Sequence, residues 1–414
     1  MRATRTGSPL ARRGVLVGAA VLVALQVLVL ALWPAAHTLL IDLQVYVAGG
    51  THVLAGEPLY AGGVLLDLPF VYPPIAAVLF VPLTLVPLPV LKIAWTALGI
   101  GLLVLVARRC APALPAGVVT LLVAAALWLD PVRTTLYLGQ INVVLLALVL
   151  LDLTGRRRGI ALGIAAAIKL TPLLFVVYLL LTRRFRTAAT ALATFLAATA
   201  LGFLVAPADS VQYWLRGTVV AADRISAVAG PSNHALAGTL GRLGLPGWVG
   251  LAGSAALACA VLVVAVRLAG DEAQASSTAA AVSDSPAAVS HSPAAVSHSR
   301  AVLSDGGEVG ALVVVGLGSA AAAPFAWSHH YVWCVPLLVL LVDRRRWVGV
   351  AATLLVTAAV ITRPPSPETG PIPATGLVSL WPDAYLVGVL VLLTCAARVL
   401  RPVPSMPPRS ASPT

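Results

Sequence analysis

Apolar runs long enough to cross a bilayer, about 20 residues each, alternate along this sequence with short clusters of arginine. A water-soluble fold has too little polar surface for such a chain: 59% of its residues are hydrophobic and only 10% are charged, far below the usual charged fraction of soluble domains. The pattern predicts an all-α polytopic membrane protein. An excess of 27 Lys and Arg over 15 Asp and Glu could suggest nucleic acid, but the basic residues sit between apolar runs rather than along one face. The four cysteines, Cys110, Cys259, Cys334 and Cys395, stand singly. Their spacing indicates neither a disulfide framework nor a zinc site.

The arginines assign sides, because cytoplasmic loops collect basic residues. With the N-terminus inside, the clusters at Arg2 to Arg13, Arg108-Arg109, Arg156 to Arg158, Arg183 to Arg186, Arg267 with Arg300, Arg344 to Arg346, and Arg398 onward are cytoplasmic. Only Arg133, Arg216, Arg224, Arg242 and Arg363 fall outside. Both termini are expected in the cytoplasm of a plasma-membrane protein. The run Gly14 to Trp33 is too long for a signal-peptide core and reads as an uncleaved first helix. Between Arg158 and Arg183 lie 24 residues, too few for two crossings, yet both flanks demand the same side. A hairpin of half-helices broken at Lys169-Leu170-Thr171-Pro172 is expected, since proline ends a helix. Counting that pair as two gives about twelve helices.

Two regions depart from ordinary spans. Trp33 to Pro89 reads as an outer loop with two interfacial helices: Leu43 to Ala55, stopped by Gly56, and Ile75 to Val86, fenced by Tyr72-Pro73-Pro74 and Pro87. Asp271 to Glu308 carries the unit SPAAVSH twice, at Ser285 to His291 and Ser292 to His298. Such sequence cannot bury a core and predicts a disordered cytoplasmic linker. Its histidines are weak metal candidates. The expected organisation is a membrane unit over 1–270, the linker over 271–308, further membrane helices over 309–402 and a disordered tail over 403–414.

Once the sides are assigned, eight acidic residues remain outside: Asp42, Glu57, Asp67, Asp130, Asp209, Asp223, Glu368 and Asp383. The same ends collect Gln140 and Asn142, Lys169, Asn233-His234 and Ser328-His329-His330-Tyr331. Polar groups at membrane depth are costly and tend to mark function. Each also has a structural reading. Asp42 suits the N-cap of the first interfacial helix. Gln140 and Asn142 suit caps or interhelical hydrogen bonds. Lys169 needs an anionic partner, whether a protein carboxylate or a ligand. His329 and His330 are adjacent and diverge on a helix, so they chelate a metal poorly, although one can still donate to a phosphate. The outer face has no supply of nucleotide sugars, and the chain holds no Asp-x-Asp. A lipid-linked activated sugar therefore fits best: its tail enters from the bilayer, its phosphate needs donors, and an alcohol acceptor needs one base.

The run Asp42-Leu43-x-Val45-Tyr46, Leu54-x-Gly56-x-x-Leu59-Tyr60 and Leu68-Pro69-Phe70-x-Tyr72-Pro73-Pro74 is followed by Gly139-Gln140-x-Asn142 and Ala167-Ile168-Lys169-x-x-Pro172. Arg183-Arg184 and Trp327-Ser328-His329-His330 come next. This series resembles the actinobacterial polyprenyl-phosphate-mannose-dependent alpha-1,2-mannosyltransferases, glycosyltransferase family 87, over most of the chain outside the linker. The resemblance implies a GT-C fold, inverting transfer from polyprenyl phosphate mannose without a metal or cofactor, and a catalytic aspartate in the first outer loop, matched by Asp42. It makes Lys169, His329 and His330 candidates for the donor phosphate, and Tyr46, Tyr72, Gln140, Asn142 and Asn233 candidates for sugar or acceptor. Around Asn233 the family often reads Asn-Gln-Ser, where this chain has Asn233-His234-Ala235. The expected partners are that donor, a mannosylated glycolipid or glycan acceptor and the bilayer, with no nucleic acid. Broken helices and a mid-membrane lysine also describe a transporter or lipid flippase, and a noncatalytic membrane subunit is a third reading.

Overall fold

The computed structural model describes residues 9–32, 39–155, 158–221, 227–283, 308–358 and 383–400. Asp223, Glu368, the SPAAVSH repeats and the tail lie outside the described residues. The chain is mostly helical, with a single two-stranded hairpin among the described residues. Among the described residues three helices, Leu88–Cys110, Phe185–Val205 and Gly247–Asp271, have the length and apolar character to cross a bilayer. A fourth crossing is possible if the pair Ala116–Ala126 and Asp130–Leu138, bent by 71°, is one broken span. The most apolar windows of the three long helices are only 22%, 22% and 33% buried inside the protein. Leu192, Leu196, Leu201 and Leu204 point outward from the second of them. Surfaces this apolar require lipid rather than water as solvent, so the chain is a helical membrane protein.

The first two helices are α1 (Pro9–Leu32) and α2 (Ile41–Ala55). Gly56 closes α2 as expected, at φ 68°. The start of α2 differs from expectation. Leu40, not Asp42, is the N-cap, held in the left-handed region at φ 43°, which places Asp42 within the first turn and makes no side-chain cap. After α2 the chain forms a hairpin of β1 (Gly63–Leu65) and β2 (Leu68–Pro69). Leu66 and Asp67 form its turn at φ 46° and 60°. Where a second helix was expected, over Ile75 to Val86, the chain forms α3 (Pro74–Phe80) followed by a 3-10 turn, Val81–Leu85. Pro82 divides the two, because it offers no amide hydrogen to continue the α pattern. Buried Leu43, Tyr46, Gly49 and Gly50 show that α2 packs against protein, chiefly α3 and the 3-10 turn.

The long α4 (Leu88–Cys110) leads to α5 (Ala116–Ala126), α6 (Asp130–Leu138) and α7 (Asn142–Thr154). The hairpin read from the arginine spacing follows: α8 (Ile160–Ile168) and α9 (Leu173–Leu181), nine residues each, separated by Lys169 to Pro172. Asp152 at the end of α7 accepts the amides of Gly159 (2.8 Å) and Leu162 (3.0 Å), satisfying the free N–H groups that begin α8. On its other side α8 packs against α10 (Phe185–Val205). A Cβ on Gly163 would lie 2.5 Å from the Ala191 carbonyl oxygen and 2.6 Å from Thr194 Cβ, so only glycine permits this crossing. The result is a fixed half-helix whose C-terminal residue is followed directly by Lys169.

Next come the short α11 (Pro207–Ser210) and α12 (Leu236–Arg242), then α13 (Gly247–Ser283). That helix continues past Asp271, so the first part of the stretch read as a linker is helical. The chain then forms α14 (Glu308–Ala321), a 3-10 turn at Ser328–Tyr331, α15 (Cys334–Asp343), α16 (Trp347–Ala358) and α17 (Ala384–Val399). Arginine contacts gather at one end of this bundle: Arg109 donates to Thr154 at the end of α7, and Arg184 pairs with Glu308 at the start of α14. Asn142 begins α7 at the opposite end, about 18 Å from Thr154 at 1.5 Å per residue, and there it meets Lys169 and the His329 carbonyl.

Candidate active site

The turn between α6 and α7 brings the site together. Gly139 takes φ 71°, and a Cβ there would stand 2.8 Å from Leu43 Cβ and 3.1 Å from Leu40 Cβ. Its lack of a side chain lets the turn lie on the start of α2, where the Leu40 amide donates to the Tyr137 carbonyl at 3.1 Å. Replacing Gly139 by Ala should lower both the melting temperature and the activity. The left-handed backbone alone costs about 1–2 kcal/mol for an L-residue, and the new methyl group would push the turn off α2. Thermal unfolding and transfer assays of the purified variant check this.

With the turn in place, Gln140 Nε2 donates to Asp42 Oδ2 at 2.5 Å. The opposite end of the amide, Oε1, accepts from the hydroxyls of Tyr46 (3.1 Å) and Tyr72 (3.3 Å). Those hydroxyls are 3.0 Å from each other, and Tyr46 also accepts the Ile141 amide at 3.3 Å. Tyr46 is fully buried, stacked on Phe80 at 4.6 Å and edge-on to Tyr72 at 5.4 Å. Burial raises the Asp42 carboxyl to about 6, against the opposing effects of Gln140 and the Lys169 charge. A half-buried carboxylate of that basicity is suited to accepting a proton near neutral pH.

Lys169 leaves α8 in an extended conformation, φ −149° and ψ 135°. Its ammonium donates to Asn142 Oδ1 at 3.1 Å, lies 2.6 Å from His330 Nε2 and stands 5.9 Å from the Tyr72 ring centre. Among the described residues no carboxylate comes within 4 Å of it; the ion pairs there are His52–Glu57, Arg184–Glu308 and Arg242–Asp383. The Trp327 amide donates to His330 Nδ1 at 2.8 Å, which leaves the neutral ring's hydrogen on Nε2. Two hydrogen-bearing nitrogens thus converge, a pairing suited to an anionic oxygen. His329 is buried beside them, its ring 4.6 Å from that of His330, with neither nitrogen hydrogen-bonded. Its backbone carbonyl accepts from Asn142 Nδ2 at 3.1 Å, so Asn142 links α7, the 3-10 turn and Lys169.

An apolar cleft opens from this cationic pole. Asn142, Thr171 and His330 line its polar part, while Leu146 and Val149 of α7, Phe175 of α9 and Trp333 line the rest.

Eight of the nine residues singled out from the sequence meet at this one place. Asn233 does not share in it. Its amide donates to the carbonyls of Val228 (2.9 Å) and Pro324 (3.1 Å), and its oxygen accepts the amides of Ala235 and Ala326, both at 3.1 Å. A fully occupied amide clamps backbone and has no edge left for a sugar. The sequence reading gave Thr135 and Trp327 no role. Thr135 approaches the His329 carbonyl at 3.5 Å, and the Trp327 ring stacks parallel to His330 at 6.2 Å. Trp327 stood in the quoted motif, but nothing in the sequence marks Thr135. Several acidic residues are engaged elsewhere: Asp130 accepts from Tyr385 at 2.7 Å, Asp209 accepts the Leu59 amide at 2.9 Å, and Asp383 pairs with Arg242. Among the described residues no group of three or more His, Cys, Asp or Glu side chains is arranged to hold a metal.

A helical membrane protein with a basic carboxylate facing an anion-receptive pole beside an apolar cleft has the parts of an enzyme acting on a lipid-linked substrate. The glycosyltransferase family 87 profile matches residues 70–293, and the chain belongs to that family of glycosyltransferases. The matched stretch contains Tyr72, Gln140, Asn142, Lys169 and Asn233, whereas Asp42, Tyr46 and the two histidines lie outside it. The chain is 36% identical to a polyprenol-phosphate-mannose-dependent alpha-(1-2)-phosphatidylinositol mannoside mannosyltransferase of Mycolicibacterium smegmatis, covering 75% of this chain and 72% of that one. A protein of Mycobacterium tuberculosis with the same description is also 36% identical, with 78% and 74% covered. A phosphatidylinositol pentamannoside mannosyltransferase of M. tuberculosis is 32% identical, with 73% and 66% covered. No solved structure matches the chain.

Proposed function

We propose that this enzyme moves mannose from polyprenyl phosphate mannose to a hydroxyl of a phosphatidylinositol mannoside, forming an alpha-1,2 linkage with inversion. The observation that carries the reading is the Lys169 ammonium, set against Asn142 and His330, two residues that line an apolar cleft, with no carboxylate among the described residues within 4 Å. The names of the curated relatives supply the sugar, the donor and the acceptor class.

In this reading the prenyl chain lies along Leu146, Val149, Phe175 and Trp333, and the phosphate meets Lys169 and His330. His329, with both ring nitrogens free, is a further donor to it. Asp42 takes the proton from the acceptor hydroxyl as its oxygen bonds to the anomeric carbon. The bond from that carbon to the phosphate oxygen breaks on the opposite face, and its electron pair stays on the phosphate. Lys169 and His330 stabilise the charge that accumulates there. Gln140, Tyr46 and Tyr72 stand beside Asp42, and Asn142 and Tyr72 border the space between the two poles.

The arginine distribution supports both termini in the cytoplasm, the site on the extracytoplasmic face and about twelve helices in total, with α2 and α3 near the outer membrane surface. The organisation is a membrane unit over 1–270, a linker ending at 308, membrane helices over 309–402 and a cytoplasmic tail. The test is incubation of the purified enzyme with labelled polyprenyl phosphate mannose and phosphatidylinositol mannosides. Label entering the glycolipid, cleaved by an alpha-1,2-specific mannosidase, is the expected result. Labelled donor crossing the membrane without transfer would replace the enzyme with a carrier.

A further inference from the structure

Gln140 was expected to touch sugar, but its geometry points elsewhere. An amide side chain has a donor end and an acceptor end, and its orientation follows from its neighbours. Tyr46 and Tyr72 both direct hydroxyls at one end of Gln140, at 3.1 and 3.3 Å. The Ile141 amide already donates to the Tyr46 oxygen, so that hydroxyl's own hydrogen is free for Gln140. The end facing the tyrosines is therefore Oε1, and the NH2 group faces Asp42. One of its hydrogens meets Oδ2 at 2.5 Å. No described residue donates to the other carboxylate oxygen. Gln140 is itself buried, 7% exposed, and Tyr46 is wholly inaccessible, so the relay sits behind the carboxylate.

We propose that Gln140 is a positioning residue: its tyrosine-locked amide holds Asp42 by one oxygen and turns the other toward the acceptor hydroxyl. This rests on the reading of Asp42 as the base. The lock has two effects. It restricts rotation of the carboxylate, where a misplacement of about 1 Å can cost about a hundredfold in rate. It also favours the ionised form, because the donated hydrogen bond is stronger to a carboxylate than to a carboxylic acid. The charged and titratable groups facing Asp42 are Lys169 from the α8–α9 break, Tyr46 from its own helix and Tyr72 from the loop before α3. A protonated Asp42 cannot act as base, so wild-type activity should fall as pH drops through about 6.

The experiment is a pH profile of transfer in detergent, with kcat and donor KM resolved, for wild type, Gln140→Leu and the double variant Tyr46→Phe with Tyr72→Phe. The double variant retains Gln140 and frees its amide to rotate, so it tests the lock even if Gln140→Leu fails to fold. Melting temperatures identify any variant that does. The expected result is an acid limb moved to higher pH in both, a fall in kcat of about 10- to 100-fold for Gln140→Leu, and donor KM within about twofold. An unmoved acid limb with a raised donor KM would make Gln140 a sugar ligand and overturn the positioning role, leaving Asp42 as base. If Asp42→Asn keeps its activity, the base and the positioning role fall together.

Discussion

Asp42→Asn is expected to abolish transfer while the protein still inserts, purifies and melts like wild type. The substitution keeps shape and hydrogen bonding: an asparagine can present its oxygen to Gln140 Nε2, which now donates to Asp42 Oδ2. What disappears is the capacity to take a proton. General-base catalysis contributes about 10²–10⁴-fold, and transfer measured at saturating donor should fall by that factor with little change in donor KM. Asp42→Glu should lose about a hundredfold, since one more methylene moves the carboxylate by over 1 Å. The neighbouring carboxylates provide controls. Glu57 is largely exposed beside His52, Asp67 sits in the turn of the hairpin, and Asp209 receives the Leu59 amide. Their amide variants should transfer within about threefold of wild type. Asp42→Asn activity within tenfold of wild type would remove it from the chemistry.

The same residue shows how far local sequence could lead. Its candidacy was legible, because the arginine pattern leaves eight carboxylates on the outer side and the motif Asp42-Leu43-x-Val45-Tyr46 singles out this one. Its placement was not. An N-cap reading follows from residue type and the start of an apolar run, but Leu40 adopts a left-handed conformation that leucine rarely takes. That shifts the helix start to Ile41 and frees the Asp42 side chain for Gln140, 98 positions away. The hairpin at Gly63–Pro69 escaped notice for the same reason. Its turn uses Leu66 and Asp67 at positive φ where sequence rules look for Asn-Gly.

Helix breaks fared better, because proline and span length act locally. Too few residues between Arg158 and Arg183, with Pro172 among them, were enough to place the α8–α9 break and to set Lys169 at it. Contacts across long separations were the limit. Gln140 and Asn142 are two apart, yet one reaches back to α2 and the other forward to His329. Asn233 appeared as interesting as either from its type alone, but four backbone partners use up its amide.

Lys169→Met carries the second large effect, and it has opposite signs for activity and stability. The ammonium donates to the neutral amide of Asn142 and stands against the Nε2 hydrogen of neutral His330, in a partly buried setting where no carboxylate among the described residues comes within 4 Å. Such a charge is unfavourable without its ligand. A methionine of similar length keeps the packing beside Tyr72 and removes the desolvation cost. The melting temperature of the purified protein should therefore equal or exceed that of wild type. A purely structural lysine would behave in the opposite way, since breaking a buried pair by removing one partner is strongly destabilising. Activity should nevertheless fall by about 10²–10³-fold, the usual cost of deleting one preorganised donor at a developing negative charge. Charge stabilisation grows as the bond to phosphate breaks, so the loss should appear mainly in kcat, with a smaller rise in donor KM. Lys169→Arg keeps the charge in a larger, planar group that does not reproduce the contacts with Asn142 and His330, and should restore only part of the rate. A destabilised Lys169→Met that retains a third or more of wild-type transfer would make Lys169 a structural residue and leave the phosphate to the histidines.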